Sequence, residues 1–414
     1  MKSQKLKVKS QNGGILRIKD KIIKQEEKYI CQTYKRFPVV FEKGEGCYLW
    51  DSEGKKYLDL VAGLAVNALG YAHPRVVKAI NRQARRLIHT SNLYYTEPMV
   101  DLAKLLIKNS FRGKCFFCNS GAEANEAAIK LTRLYSKTRF SPDRYEIITF
   151  DNSFHGRTLA TVTATGQKKY QEGFEPLMPG FVTIPFGNLP ALKAAVKPST
   201  CAIMTEIIQA EGGINEADVS FWQGVREIVK KEKMILIVDE IQTGMGRTGK
   251  LFAYQHYGLE PDIITLAKAL ANGLPIGAMI ARKKIAETFK PGHHASTFGG
   301  NPLVTQAALT VLKTIYKENI IEKVISSGIY FQEKLSGLKN KYKFIAKIKG
   351  KGLLIGVELT ADGQDVVQKC LERGLIINCL KNNVLRFVPP LIITKEEIDA
   401  AVKILDEVFS EIKQ

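Results

Sequence analysis

The chain has 414 residues, of which 45% are hydrophobic and 25% charged, the balance of a soluble globular protein long enough for two or three domains. Its 61 Lys and Arg against 41 Asp and Glu give a formal charge of +20. The lysines are spread through surface-type helices such as 226–233 and are not interleaved with aromatics, which argues against a specific nucleic-acid module. The start, Met1–Ser10, is basic without an apolar signal core, and no 18-residue apolar run occurs, so no membrane span is expected and a cytoplasmic location is the default. Seven scattered cysteines do not resemble a disulfide framework. Cys115 and Cys118 form one CxxC pair, which supplies two soft ligands where a structural zinc needs about four, so a buried thiol pair is the simpler reading.

Taken in chain order, residues 20–36 read as a charged helix and linker, and Pro38 opens an extended stretch. Gly46–Trp50 and Lys55–Leu60, alternating apolar residues around the turn Asp51-Ser-Glu-Gly54, predict a β-hairpin. Helices are expected over Val76–Leu87 and Glu97–Ser110, the second with Met99, Leu102, Leu105 and Leu106 on its apolar side. Strands then alternate with helices: Lys114–Cys118, helix Ala122–Tyr135, Tyr145–Phe150, Ala202–Glu206, helix Ser220–Lys231, Met234–Asp239, Ile263–Leu266 and Ile276–Ile280. That rhythm predicts a mostly parallel sheet covered by helices, with ligands beyond the carboxyl ends of its strands. After about residue 305 the pattern changes. Helices over Ala307–Tyr316, Ile321–Leu338, Val366–Arg373 and Lys395–Ser410, with strands over Gly352–Leu359, Leu375–Ile377 and Val384–Val388, suggest a small α+β domain. The expected division is 1–69 as a segment contributing to that small domain, 70–305 as the large domain, and 306–414 as the C-terminal small domain.

Several polar groups fall at predicted strand ends. Asp239 closes Met234–Asp239, and Lys268 follows 29 residues on, after Ile263–Leu266. A carboxylate and an amine so placed suit a cofactor that needs an imine-forming amine and a negative partner for a protonated ring nitrogen, as pyridoxal phosphate does; two ordinary surface groups have the same spacing. Asn119-Ser-Gly-Ala-Glu enters a helix after a strand, where Ser120, Gly121 and the amides of Ala122 and Glu123 can face a phosphate or simply cap the helix. Glu123 is expected to cap the backbone or lie on the first-turn surface, since its charge opposes a phosphate. Phe154-His-Gly-Arg-Thr offers an aromatic face in Phe154 and a carboxylate clamp in Arg157, while His155 reads as a packed or hydrogen-bonded histidine. Glu206 and Glu211 are paired acids without the aromatic groove expected of a sugar site. Ser296-Thr-Phe-Gly-Gly-Asn-Pro supplies hydroxyls and flexible backbone, and Arg386 interrupts the apolar run Leu385–Val388, where a salt bridge explains it as well as a ligand does. Gly244-Met-Gly-Arg-Thr-Gly249 matches GxGxxG, but its distance from the strand core and the lack of a suitably placed acid speak against a dinucleotide. A mobile arginine-bearing active-site loop or a plain turn is the more economical reading.

On these motifs, above all His89-Thr-Ser-Asn-Leu-Tyr-Tyr-Thr-Glu-Pro, Asn119–Ala128, Phe154–Thr158, Val238–Gly249 and Ser296–Pro302, nearly the whole chain resembles the class III pyridoxal-phosphate aminotransferases, in their acetylornithine branch. The resemblance implies a fold-type I α/β transferase with a large mostly parallel sheet, active as a homodimer with sites at the subunit boundary. It implies that Lys268 holds the cofactor as an imine and that Asp239 pairs with its ring nitrogen. Phe154 packs on the ring, Gln242 lies on the phenolic side, and Glu240 and Ile241 belong to the same binding run. Gly121 and Ala122 hold phosphate with Thr297 of the neighbouring subunit. Arg157, Ser296 and Arg386 resemble substrate-binding positions, and Glu211 an acid that screens Arg386 when the substrate has one carboxylate. Thr205-Glu-Ile-Ile-Gln-Ala departs from the family's more usual Glu-Pro-Ile-Gln-Gly. The implied reaction moves the terminal amine of N2-acetyl-L-ornithine to 2-oxoglutarate in arginine biosynthesis, Tyr94, Tyr95 and Ser296 favouring that branch. Ornithine, N-succinylornithine, succinyldiaminopimelate, 4-aminobutyrate and a carrier-bound aminoadipate-derived amine stay open as donors, and a non-enzymatic basic binding protein is the reading from another class.

Overall fold

The computed structural model describes residues 8, 9, 15, 16 and 18–412. The basic start Met1–Ser10 lies outside the described residues, apart from the pairing of Val8–Lys9 with Ile15–Leu16.

The largest element is a seven-stranded sheet in the order Gly113–Cys118, Gly277–Arg282, Ile263–Leu266, Ile235–Asp239, Thr200–Glu206, Glu146–Phe150, Phe181–Ile184. Thr200–Glu206, Ile235–Asp239 and Ile263–Leu266 are buried along their whole length, as strands covered on both faces must be. Gly277–Arg282 runs against both of its neighbours, and the other pairs are parallel. The reason is connection length: a parallel crossover takes about a dozen residues or more, usually as an α-helix, and the link 267–276 holds only the short 3₁₀ turn Lys268–Ala271.

Helix Gly121–Arg139 covers one face. Ala124, Ala127, Ala128, Leu131 and Tyr135 are buried at helical spacing, and the helix crosses Ile263–Leu266 and Gly277–Arg282. Small residues let it approach closely. It runs a turn beyond the expected end at Tyr135. Phe181–Ile184, the helices Leu159–Ala164 and Leu189–Ala195, and the strand Ile345–Lys351 are additions to the sequence reading. The first is a short edge strand, and the last hides its apolar alternation among lysines.

The predicted hairpin forms, with Tyr48–Asp51 antiparallel to Lys56–Asp59, and Phe41–Glu45 extends it. Leu375–Ile376 pairs parallel to Lys56–Asp59, so the two ends of the chain share a sheet. A second sheet runs Ile345–Lys351, Leu354–Leu359, Val384–Phe387, Asn378–Leu380. Helix Pro302–Lys317 spans residue 305 and packs on the helices Pro74–Ala84 and Glu97–Asn109. No helix among the described residues is long and apolar enough to cross a membrane.

The GxGxxG run forms a buried turn. Arg247 is 1% exposed and donates to the Leu353 and Pro389 carbonyls at 3.0 and 2.5 Å, tying this turn to the C-terminal region. Of the two readings offered for this run, the turn is the one the structure matches: the run lies off the cavity lining, and Arg247 serves as a structural tie that satisfies two buried carbonyls. The Cys115 and Cys118 thiols, free in this structure, are both pushed up to about 12 by burial, as packed thiols are.

Candidate active site

A cavity of about 400 Å³ opens at the carboxyl ends of the central strands, the position at which open α/β sheets gather ligands. Its walls come from loops that leave successive strands: Asn119–Ala122 after Gly113–Cys118, Phe154–Arg157 after Glu146–Phe150, Glu206, then Asp239, Ile241 and Gln242, and Ala267–Lys268 after Ile263–Leu266. Residues more than a hundred positions apart meet because parallel strands deliver every carboxyl end to one edge.

At one wall the helix Gly121–Arg139 begins. Ser120 caps it by accepting the Glu123 N–H through Oγ, while the Glu123 carboxylate accepts from the Asn119 N–H and the Ser120 hydroxyl. Glu123 thus caps the backbone as expected, but its amide is taken by Ser120 and does not face a ligand. The N–H groups of Gly121 and Ala122 precede the first intrahelical partners and remain available to an anion. A Cβ at Gly121 would come within 2.7 Å of Ile241 Cδ1, so a side chain there would crowd the cavity wall.

Asp239 sits at the floor, 3% exposed. Its Oδ2 accepts from Asn125 Nδ2 and His155 Nδ1, each at 2.8 Å, and its Oδ1 from the Ile241 N–H at 3.0 Å. Because a carboxylate only accepts, His155 Nδ1 carries the proton. Asn125 also donates to the His155 carbonyl and accepts from Thr265 Oγ1. Asn125 and Thr265 are supports that the sequence reading missed. The signal was a polar residue on the apolar face of a helix that packs on the sheet. His155 is the hydrogen-bonded histidine expected.

Lys268 faces this floor from just beyond the carboxyl end of the neighbouring parallel strand Ile263–Leu266. Burial and Arg386 lower its amine from the ordinary lysine value, although Glu211, Asp239 and Glu206 pull the other way. Its backbone is left-handed, with φ 42°, a strained conformation of the kind met at functional sites. Phe154 lines the cavity and meets Tyr170 edge-on at 5.7 Å. Arg157 is exposed at the rim, 3.9 Å over the Tyr170 ring.

Next to Gln242 lies an ion pair. Arg386 Nη1 donates to Glu211 Oε1 at 2.6 Å, to Gln242 Oε1 at 3.0 Å and to the Ala210 carbonyl at 3.2 Å. Burial alone would raise Glu211, but Arg386 and Lys268 hold it down at about 2. Glu211→Gln leaves the buried Arg386 charge unpaired and is expected to cost about 3 kcal/mol at neutral pH. The sign follows from the depressed value: the wild-type advantage is complete above the ordinary carboxylate range near about 4.3 and fades as pH falls toward about 2. Urea unfolding of both proteins from pH 7 downward checks it; a constant gap contradicts the assignment.

Not every expected residue reaches the cavity. Glu240 is absent from its lining; its carboxylate accepts from Thr243 Oγ1 and the Tyr254 N–H, and burial pushes it up to about 7. Ser296 stands one residue back, with its Oγ accepting from Asn119 Nδ2 and the Gly299 N–H. Thr297 is exposed and lies off the cavity of its own chain. Val66 and Gly273–Ile276, which no motif marked, complete the walls.

Such a lining can seat a planar ring against Phe154, a cationic ring nitrogen against Asp239 and a phosphate at the helix start, with a desolvated amine alongside. Fold and lining together define a pyridoxal-phosphate-dependent enzyme. The aminotransferase class-III family profile matches residues 29–409. The acetylornithine aminotransferase of Caldanaerobacter subterraneus subsp. tengcongensis is 54% identical over 393 residues, covering 95% of this chain and 100% of its own length. That of Methanocaldococcus jannaschii is 52% identical, covering 94% and 98%. Among solved structures, the ornithine aminotransferase of Toxoplasma gondii superposes with a TM-score of 0.92 at 34% identity, covering 95% and 96%. The acetylornithine aminotransferase of Elizabethkingia anophelis gives 0.87 at 34%, covering 95% and 99%. The chain belongs to the class-III aminotransferases, in their acetylornithine branch.

Proposed function

We propose that this chain transfers the terminal amino group of N2-acetyl-L-ornithine to 2-oxoglutarate, giving N-acetyl-L-glutamate 5-semialdehyde and L-glutamate. The observation that carries the reading is the Arg386–Glu211 pair beside the cavity. An ω-amine donor reacts at the end remote from its carboxylate and leaves the inner arginine without a partner, whereas glutamate brings a second carboxylate to it. Glu211 neutralises Arg386 in the first case and yields it in the second, which avoids a bare buried charge in either half-reaction. The acetylornithine names of the similar proteins support the same donor.

When bound, pyridoxal 5'-phosphate supplies an electrophilic carbonyl carbon and a protonated ring that draws electrons. In this reading Lys268 Nζ would hold that carbon, and its amine, once displaced by the amine of the donor, would serve as the base for the proton on the donor's amine-bearing carbon. Its lowered basicity suits both tasks. Asp239 keeps a proton on the ring nitrogen and is itself aimed by Asn125 and His155. Phe154, Gln242 and Ile241, which line the cavity, would hold the ring, and the amides of Gly121 and Ala122 would hold the phosphate. Arg157 takes the carboxylate common to both amino acids, and Ser296, through Asn119, shapes the entrance. Thr297 reaches the phosphate of a second copy in a homodimer. The exposed Leu93, Tyr94, Tyr95 and Phe298 supply apolar surface for that pairing.

The residues 70–305 then form the cofactor domain, and the two chain ends form the small domain carrying Arg386.

A panel of matched amine donors with 2-oxoglutarate, reporting glutamate formation, tests the reading. N2-acetyl-L-ornithine is expected to give the highest kcat/KM. A clear preference for ornithine, the substrate in the name of a similar structure, or for 4-aminobutyrate would overturn it.

A further inference from the structure

Glu206 ends its strand as the cross-strand neighbour of Asp239, and it is 5% exposed. Its two oxygens serve different parts of the site. Oε2 accepts the Phe154 N–H at 3.0 Å, and Oε1 accepts the Ala210 N–H at 3.3 Å. Phe154 lines the cavity. Ala210 precedes Glu211 in the chain, and its carbonyl accepts from Arg386 Nη1, the nitrogen that also meets Glu211.

We propose that Glu206 is a positioning residue that couples the ring-packing Phe154 to the Arg386–Glu211 pair, so that cofactor seating and the choice between one-carboxylate and two-carboxylate substrates are set together. The inference rests on the reading of that pair as the substrate-carboxylate gate. Its physical basis is satisfaction of buried donors. Two backbone N–H groups, one part-buried and one buried, depend on one side chain, and a buried one left without an acceptor costs about 1–3 kcal/mol. When Glu211 leaves Arg386, its side chain swings from a backbone that the Glu206 bond holds at the adjacent Ala210. Ile207 follows Glu206 in place of a φ-locking proline, so the carboxylate restrains a segment that the backbone alone leaves freer. Burial and the Asp239 carboxylate hold Glu206 well above the ordinary carboxylate range, against the two amides and Lys268. Both oxygens keep an accepting lone pair in either charge state.

The test is Glu206→Gln, which keeps the shape but offers one accepting oxygen in place of two. Pyridoxal 5'-phosphate affinity is read on the apoprotein by quenching of intrinsic fluorescence, and KM and kcat are read for both half-reaction substrates. The expected result is a cofactor Kd raised about tenfold, as loss of one buried acceptor implies. The ratio of KM for 2-oxoglutarate to KM for the amine donor should change at least about threefold while kcat changes less. A shift in one quantity alone, or in neither, overturns the coupling. If the variant does not fold, Phe154→Leu and Glu211→Gln, singly and together, keep Glu206 in place. Their effects on cofactor Kd are expected to be non-additive by about threefold, and additivity overturns the inference. The Kd measurements need no turnover, so failure of acetylornithine as a donor would sink the functional reading without deciding this one.

Discussion

Lys268→Ala is expected to lower kcat for transamination by about 10,000-fold or more, the upper range for loss of a positioned acid–base group, with no imine to the cofactor left to reduce. The cavity brings one amine to the carboxyl ends of the central strands, and burial has already lowered its affinity for a proton. On the proposed mechanism the substitution removes both the group that bonds the cofactor and the base that moves the proton. Replacing the amine with a methyl leaves fold and cavity walls in place, because Lys268 ends in the cavity and not in the apolar core. Borohydride reduction followed by peptide mass analysis locates the linkage in the wild type. Turnover within tenfold of wild type in the variant would refute the assignment. Exogenous small amines should restore part of the proton transfer, since they replace the base without replacing the tether.

Asp239→Asn is expected to lower kcat by about 1,000-fold while leaving the covalent capture of cofactor by Lys268 intact. The effect has two sources. On the proposed mechanism the negative charge that faces the ring nitrogen disappears, in a site where burial strengthens every charge interaction. The new amide also mismatches its surroundings. Asn125 Nδ2 and His155 Nδ1 both donate to Oδ2, and the Ile241 N–H donates to Oδ1, so whichever end becomes NH₂ meets a donor with a donor. Asn125→Ala should produce a smaller loss of the same kind, because it removes one of the bonds that aim the carboxylate and leaves the charge. The comparison separates charge from orientation: equal losses in the two variants would mean that Asp239 acts through geometry alone. Retained near-wild-type kcat in Asp239→Asn would remove it from the mechanism.

Two elements mark how far the sequence could be read. Ile235–Asp239 and Ile263–Leu266 were legible as buried strands because every residue in them except the terminal acid or a single threonine is apolar. Their polar ends, Asp239 and Lys268, were legible as candidates, because a charge that stops an apolar strand sits at an edge, while their roles came only with the family resemblance. Phe154, Gly121 and Ala122 followed from loops placed after such strands. Glu240 shows the limit. It adjoins Asp239 in sequence and shares its chemistry, yet at a strand end alternate residues point to opposite sides, and its carboxylate turns to Thr243 and Tyr254.

By itself, the sequence determined the alternation of strands and helices, the cap at Ser120, the acid and amine at strand ends, and the family, since these depend on local pattern and residue identity. Tertiary structure alone decided the antiparallel direction of Gly277–Arg282, the Asn125–Asp239–His155 support and the bonds of Glu206 to the Phe154 and Ala210 amides. The bonds of Asp239 to Asn125 and His155 join residues 114 and 84 positions apart, and no periodicity encodes them. They arise when packing the sheet against its helices brings buried donors and acceptors to one place, where each must find a partner.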